Sequence, residues 1–159
     1  MDVVARETLS RLLDRCRIGA LGTLRDGGPF VSMTPVALAE DSSMFIINVS
    51  RLAHHTQDML KDSRVSLMLV EADMGEGDPQ TLARLTIRGE AAEIPKETPA
   101  FVHARSTYLA KFPGAEITFQ LGDFGLWRIV PEVGRYVAGL GRTYTITVED
   151  LRRAAGLRG

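Results

Sequence analysis

Four polar residues that follow one apolar stretch are the most chemically suggestive group in this sequence. Ser50 and Arg51 come directly after the apolar residues 44–49, and His55 and Thr56 fall in the first turn of the helix that follows. The first N–H groups of a helix lack intrahelical partners and lie at the positive end of its dipole, and Arg adds a planar set of donors that suits phosphate oxygens. The pattern indicates an anion-binding site, and it equally fits a capped surface helix.

Other kinds of site have less support in the residue pattern. His54 and His55 are adjacent, so on a helix they diverge by about 100° and cannot ligate one metal from the same face. His103 is the only other histidine, and no acidic residue stands at HExxH spacing, so we predict no metal site. Trp127, the sole tryptophan, suits either core packing or a flat wall beside an aromatic ligand. No catalytic acid or base can be named.

Length and charge narrow the class of protein. The chain has 159 residues and a formal net charge of -1, from 19 basic and 20 acidic side chains. We expect one domain over residues 1–159, and no binding to nucleic acid or to a membrane. The lone cysteine, Cys16, cannot form an internal disulfide, and no apolar run reaches membrane-spanning length. These features predict a soluble, cytoplasmic protein.

The first half of the chain reads as a helix followed by an antiparallel sheet. Helical spacing of apolar residues predicts a helix over residues 4–16. Residues 18–24 and 29–39 flank Asp26-Gly27, which predicts a β-hairpin, and residues 44–49 add a third strand in a meander. A helix over residues 52–61 then leads to residues 65–70, an apolar run typical of a strand buried on both faces.

The second half adds further strands and two helices. Residues 83–91 alternate between apolar and polar, which places Arg84 and Arg88 on a polar face that borders either a cleft or open solvent. Pro99–Lys111 is predicted as a helix, and a capping box after Thr147 begins a terminal helix. Short strands are predicted at residues 117–121, 126–130 and 135–138. The order of elements indicates a mainly β fold with flanking helices, either a barrel or a sandwich.

With these motifs in place, the chain resembles the FMN-binding split-barrel family typified by pyridoxamine 5'-phosphate oxidase. The resemblance lies in residues 48–53 (NVSRLA) and 62–67 (DSRVSL), which fill the places of that family's phosphate loop and following strand. Residues 50–56 (SRLAHHT) are similar to a motif of a subgroup linked to haem utilisation, as are residues 77–89 and 122–128. The resemblance implies an antiparallel six-stranded split β-barrel.

The resemblance also implies roles for individual residues. Seven positions would contact a flavin that lies between two protomers. Its phosphate would be bound by Ser50, Arg51, His55 and Thr56. Its ring would face Ser32 and Arg84, and the cleft would be closed by Trp127. Leu52 stands where the family has a phosphate-binding lysine, which is a departure from its pattern. The family's pyridoxal phosphate motif is not recognisable at the C-terminus, so vitamin B6 oxidation is not predicted.

Three functions follow as hypotheses. The first is a homodimeric, FMN-dependent oxidoreductase that acts on an unidentified small molecule. The second is a haem-binding or haem-handling protein that uses the same dimer cleft without flavin. The third is a split barrel without a cofactor, which the missing lysine supports.

Overall fold

Strands form most of the regular structure, and four α-helices flank them. The computed structural model describes residues 1–156. The strands are β1 (Ile18–Arg25), β2 (Gly28–Pro35), β3 (Ala37–Leu38), β4 (Phe45–Ser50), β5 (Arg64–Val70), β6 (Arg84–Glu93), β7 (Phe124–Val137) and β8 (Thr143–Ile146). The helices are α1 (Val3–Arg15), α2 (His54–Lys61), α3 (Pro99–Lys111) and α4 (Val148–Ala155). None of these helices has both the length and the apolar character needed to cross a membrane.

The strands form one antiparallel sheet that curls into a split barrel. Its order is β2-β1-β5-β6-β7-β4-β3, and β8 pairs with β7. This arrangement confirms the predicted fold class, which is mainly β with an antiparallel split barrel and flanking helices. The described chain has eight strands rather than six, because the short strands β3 and β8 add to the sheet.

The β1–β2 hairpin is confirmed, and local turn chemistry explains it. Asp26 and Gly27 both have positive φ values, 50° and 78°. Two positive values at the central residues are what a tight hairpin turn needs, and Asp and Gly adopt them at low cost. Arg25 therefore pairs directly with Gly28 across the turn.

Several predicted strands are wrong in their limits or their pairing. Residues 29–39 divide at Val36 into β2 and β3, and β4 pairs with β3 and β7, so the three strands are not a simple meander. Residues 126–130 and 135–137 belong to the single strand β7, which ends one residue before the predicted limit of 138. Residues 117–121 are not a strand, because most of them lie in a 3₁₀ helix, Pro113–Gln120, whose apolar side chains pack on α3.

Strand β5 is buried on one face only, which also differs from the prediction. Val65, Leu67 and Leu69 point into the core, whereas Met68 and Val70 are 37% and 41% exposed. The continuous apolar run therefore leaves apolar side chains on the outer face of the sheet. In the described chain nothing covers that face.

The main core fills the barrel and attaches α1 to it. Leu9, Leu21 and Ile87 are among its fully buried side chains. Tyr136 on β7 donates a hydrogen bond of 3.0 Å from its hydroxyl to the carbonyl oxygen of Ala5 on α1. This buried bond fixes the helix against the sheet.

Candidate functional site

A serine and a histidine meet where α2 packs on the β1–β2 hairpin. Ser32 Oγ lies 3.0 Å from Nδ1 of His55. Ser32 points to the same face of β2 as Phe30, and His55 is the second residue of α2. Of the seven residues predicted to form the site, these two contact each other.

The environment of His55 favours a neutral imidazole. Partial burial lowers the pKa of His55 from its ordinary value of 6.5, because an imidazolium loses hydration there. The Asp58 carboxylate opposes this shift in pKa, and His54 adds to it. A neutral imidazole is the form that ligates metals.

Beneath this pair lies a buried polar network that the sequence did not reveal. Asp58 on α2 is 3% exposed. Its carboxylate accepts hydrogen bonds of 2.8 Å from Thr23 Oγ1 and 2.8 Å from Arg25 Nη1. Buried carboxylates are stable only when paired in this way. The network holds α2 against the end of β1.

Arg25 also contacts the first residue of α2. A second hydrogen bond of 3.3 Å runs from its Nη1 to the carbonyl oxygen of His54. The guanidinium carbon lies 5.7 Å from the centre of the Phe30 ring, and that ring lies 5.9 Å from the His54 ring. Arg25, Phe30 and His54 thus form a mixed aromatic and cationic wall beside His55.

Two of the four predicted phosphate donors, Ser50 and Arg51, are occupied by carboxylates. Ser50 Oγ donates to Asp123 Oδ2 at 2.5 Å and accepts the Leu52 N–H at 3.1 Å. Arg51 Nη2 donates to both oxygens of Glu93, at 2.9 and 3.1 Å. The two acidic side chains neutralise the positive loop and would repel a phosphate.

Two further features of this loop differ from a phosphate site. Leu52, which replaces the family's lysine, is 76% exposed and offers no donor from its side chain. Thr56 is fully buried, and its hydroxyl has no hydrogen-bond partner within the described residues. Thr56 therefore faces the protein interior rather than the loop.

Neither Arg84 nor Trp127 forms a hydrogen bond with His55 within the described residues. Arg84, at the start of β6, donates from Nη1 to the carbonyl oxygens of Gln80 and Leu82. Trp127 is 3% exposed within the main core, where its indole Nε1 finds no partner among the described residues. The sequence allowed two interpretations of Trp127, core packing or a flat wall beside an aromatic ligand. In the protomer, Trp127 packs in the core.

Comparison with known proteins assigns the chain to a family. The model of the pyridoxamine 5'-phosphate oxidase family matches residues 5–138, which cover all of the sheet up to the end of β7. The chain belongs to this family. The resemblance seen in the sequence is therefore confirmed.

Individual relatives within this family have names that refer to haem. The chain is 35% identical over 141 residues to heme oxygenase HOZ of Arabidopsis thaliana, covering 87% of this chain and 41% of that protein. It is 27% identical over 128 residues to heme oxygenase HutZ of Vibrio cholerae, covering 79% and 70%. A heme binding protein from Mycobacterium smegmatis has a structure with a TM-score of 0.82 and 27% identity, covering 96% and 61%. The chain thus spans under half the length of HOZ.

These relatives correct the first functional hypothesis. An FMN-dependent oxidoreductase with FMN as cofactor was predicted, and that prediction is wrong, because the named relatives are haem oxygenases and a haem-binding protein. The structure supplies a physical reason for the correction. The phosphate loop lacks the family's lysine, and the side chains of Ser50 and Arg51 already bind Asp123 and Glu93.

Proposed function

We propose that this protein binds haem, with His55 as the ligand of the haem iron. The observation that carries the proposal is the hydrogen bond that joins Nδ1 of His55 to Ser32, since it orients a neutral imidazole at the protein surface. The names of the relatives support haem as the ligand. Haem is then the small molecule on which the protein acts.

The tautomer of His55 decides which nitrogen is available to the iron. If Nδ1–H donates to Ser32 Oγ, Nε2 carries the lone pair. No other group in residues 1–156 forms a hydrogen bond with the His55 ring. Histidines that ligate metals usually donate their second ring N–H in this manner, which fixes the ring and raises its basicity. Haem bound there would supply an iron centre for redox or oxygen chemistry.

Nearby side chains suit the edge and face of a porphyrin. Phe30 and the exposed ring of His54, whose planes are tilted by 58°, give a partly apolar surface next to His55. Arg25 lies in the same wall with its Nη1 paired to the buried carboxylate of Asp58, and its side chain is 30% exposed, so the rest of the guanidinium faces the surface. A cation beside an apolar surface fits a macrocycle that carries propionate groups.

We also propose that two copies of the chain form a homodimer through the part of the sheet's outer face that carries Val31, Met33 and Met68. Val31 and Met33 on β2 are 66% and 63% exposed, and Met33, Ala20 and Met68 lie in one row across β2, β1 and β5. A contiguous apolar surface of this kind is usually covered in the functional assembly. We expect a second copy of the chain to cover this surface. We also propose that the protein is located in the cytoplasm.

The test of haem binding is a hemin titration followed by absorbance. We expect saturable binding with a shifted Soret band in the wild-type protein. His55→Ala should lose that band or weaken binding at least tenfold, because the iron loses its axial ligand.

The matched control is His103→Ala, which removes an exposed histidine on α3 that lies near Glu40. It should bind hemin as the wild type does. An unchanged Soret band and affinity in His55→Ala would contradict the assignment of His55. Absence of hemin binding by the wild-type protein would contradict the proposed function as a whole.

The dimer has a separate test. Met33→Lys places a charge on the edge strand at one end of the apolar row, so we expect it to convert the dimer to a monomer in light scattering coupled to gel filtration. A wild-type protein that is monomeric at micromolar concentration would contradict the proposed homodimer.

A further inference from the structure

A cavity lies beside the C-terminal end of α1. Its volume is about 580 Å³, which falls within the range of small-molecule sites. Leu12 and Ala83 form a buried floor, and Ile18 and Val70 form partly exposed apolar walls. The cavity can therefore accept an apolar body of considerable size.

Arginines surround this apolar floor. Arg11 and Arg15 lie one helical turn apart on α1, and Arg17 follows the helix. The Arg17 guanidinium carbon lies 5.0 Å from the centre of the Phe112 ring, so Arg17 already has a partner. Within residues 1–156, neither Arg11 nor Arg15 forms an ion pair, and Arg11 donates only to the hydroxyl of Thr8.

The acidic residues at the cavity are engaged by the backbone. Glu71 and Asp73 also line it. The Glu71 carboxylate accepts the Ala83 N–H at 3.3 Å, and the Asp73 carboxylate accepts the Gly75 N–H at 2.9 Å. These contacts hold both carboxylates at the loop, so the guanidinium groups of Arg11 and Arg15 remain available to a ligand.

The wall of the cavity is formed before any ligand arrives. Arg84 Nη1 donates to the carbonyl oxygens of Gln80 and Leu82, both at 3.1 Å. The Glu71 N–H donates to the Ala83 carbonyl oxygen at 2.8 Å, which joins the two sides of the loop. A preformed wall reduces the entropy lost on binding.

The cavity is separate from the haem site. Ile18 and Arg25 are the two ends of β1, seven residues apart, which is about 23 Å along a strand. Ile18 lines the cavity, and Arg25 belongs to the wall beside His55. A ligand in this cavity therefore does not depend on haem.

We propose that this cavity binds an amphipathic carboxylate, a molecule with an apolar body and one anionic head. The apolar body lies on Leu12 and Ala83. The carboxylate lies between Arg11 and Arg15, because residues four apart on a helix share one face and guanidinium groups bind carboxylates in a bidentate manner. The site is a further binding function of the protein.

The experiment is a fluorescence titration of the full chain with 11-(dansylamino)undecanoic acid. We expect saturable binding, and decanoate should displace the probe at least tenfold better than decanol, which lacks the charge. Arg15→Ala should weaken binding about tenfold or more, and Arg15→Lys should weaken it less, because Lys keeps the charge but loses the planar fork. Ala72→Trp, on the exposed rim, should abolish binding by filling the mouth.

Two controls make the result specific to this cavity. Arg88→Ala removes an exposed arginine on β6 and should bind the probe normally, and His55→Ala should do the same. Equal affinity in the wild type, Arg15→Ala and Ala72→Trp would overturn the proposal, as would absence of binding by the wild type. Unfolding midpoints of the variants show whether each one is folded.

Discussion

At the β1 end covered by α2, charged groups are paired and buried, whereas at the opposite end two guanidinium groups have no acidic partner in the described chain. Asp58 binds both Thr23 and Arg25, and this network holds the helix that carries His55 against β1. Arg11 and Arg15 instead border an apolar floor. At the α2 end the protein holds the neutral imidazole of His55 in place, whereas at the opposite end it presents the guanidinium groups of Arg11 and Arg15. The two ends therefore suit ligands of different chemistry.

Removing Asp58 should have the largest effect on stability. Asp58→Ala leaves Thr23 unpaired and Arg25 without its carboxylate, at a cost of about 3 kcal/mol in the free energy of unfolding. Urea denaturation measures the change. Asp14→Asn, at an exposed position of α1, should change it by less than about 0.5 kcal/mol. Similar midpoints for the two variants would show that the network does not stabilise this end.

Tyr136→Phe weakens the attachment of α1 at the other end. The variant leaves the Ala5 carbonyl oxygen without its hydrogen bond, so we expect a loss of about 1–2 kcal/mol. Because α1 carries Arg11 and Arg15, binding of the dansyl probe should weaken while hemin binding stays constant. Equal loss of both ligands would contradict the independence of the two ends.

Acidification should affect the histidine end selectively. The pKa of His55 is lowered in the folded protein, so the unfolded chain binds more protons as the pH falls below about 6.5. The contribution of the neutral His55 ring to the free energy of unfolding is therefore complete above about pH 6.5. It is lost as the pH falls through the pKa that His55 has in the folded protein. The wild type should therefore lose more stability between pH 7.5 and 5.5 than His55→Gln does. Parallel curves for the two proteins would contradict the lowered pKa.

Breaking the exposed ion pair of the loop after β4 should have the smallest effect. The Arg51 side chain is 59% exposed in its pair with Glu93, so Arg51→Ala should cost less than about 1 kcal/mol. Thermal unfolding at low and high salt measures this contribution. A larger loss would show that the loop depends on Arg51 for its structure.

Local patterns predicted much of the fold. The Asp26-Gly27 turn was visible in the sequence because the residues that need positive φ are adjacent in the chain. Residues 117–121 were misassigned because their apolar side chains suit a strand, although tertiary packing against α3 places most of them in a 3₁₀ helix. Packing of this kind overrides local preference.

The site was less accessible to sequence reasoning. Ser32 was selected through the family resemblance and His55 already through its place in the first turn of the predicted helix, yet their mutual contact spans 23 positions. Arg25 and Asp58 were missed because they are 33 positions apart and neither belongs to a recognisable motif. The family resemblance implied that Arg84 faces the flavin ring, and in the described protomer Arg84 Nη1 donates to the Leu82 carbonyl oxygen beside the arginine-lined cavity.

The central claim is that His55 ligates the haem iron, and imidazole rescue tests it most directly. We predict that His55→Gly, purified and mixed with hemin, lacks the wild-type Soret band and regains it when imidazole is added, as followed on the protein-bound fraction after gel filtration. A His55→Gly protein that shows the wild-type band without imidazole would contradict the claim.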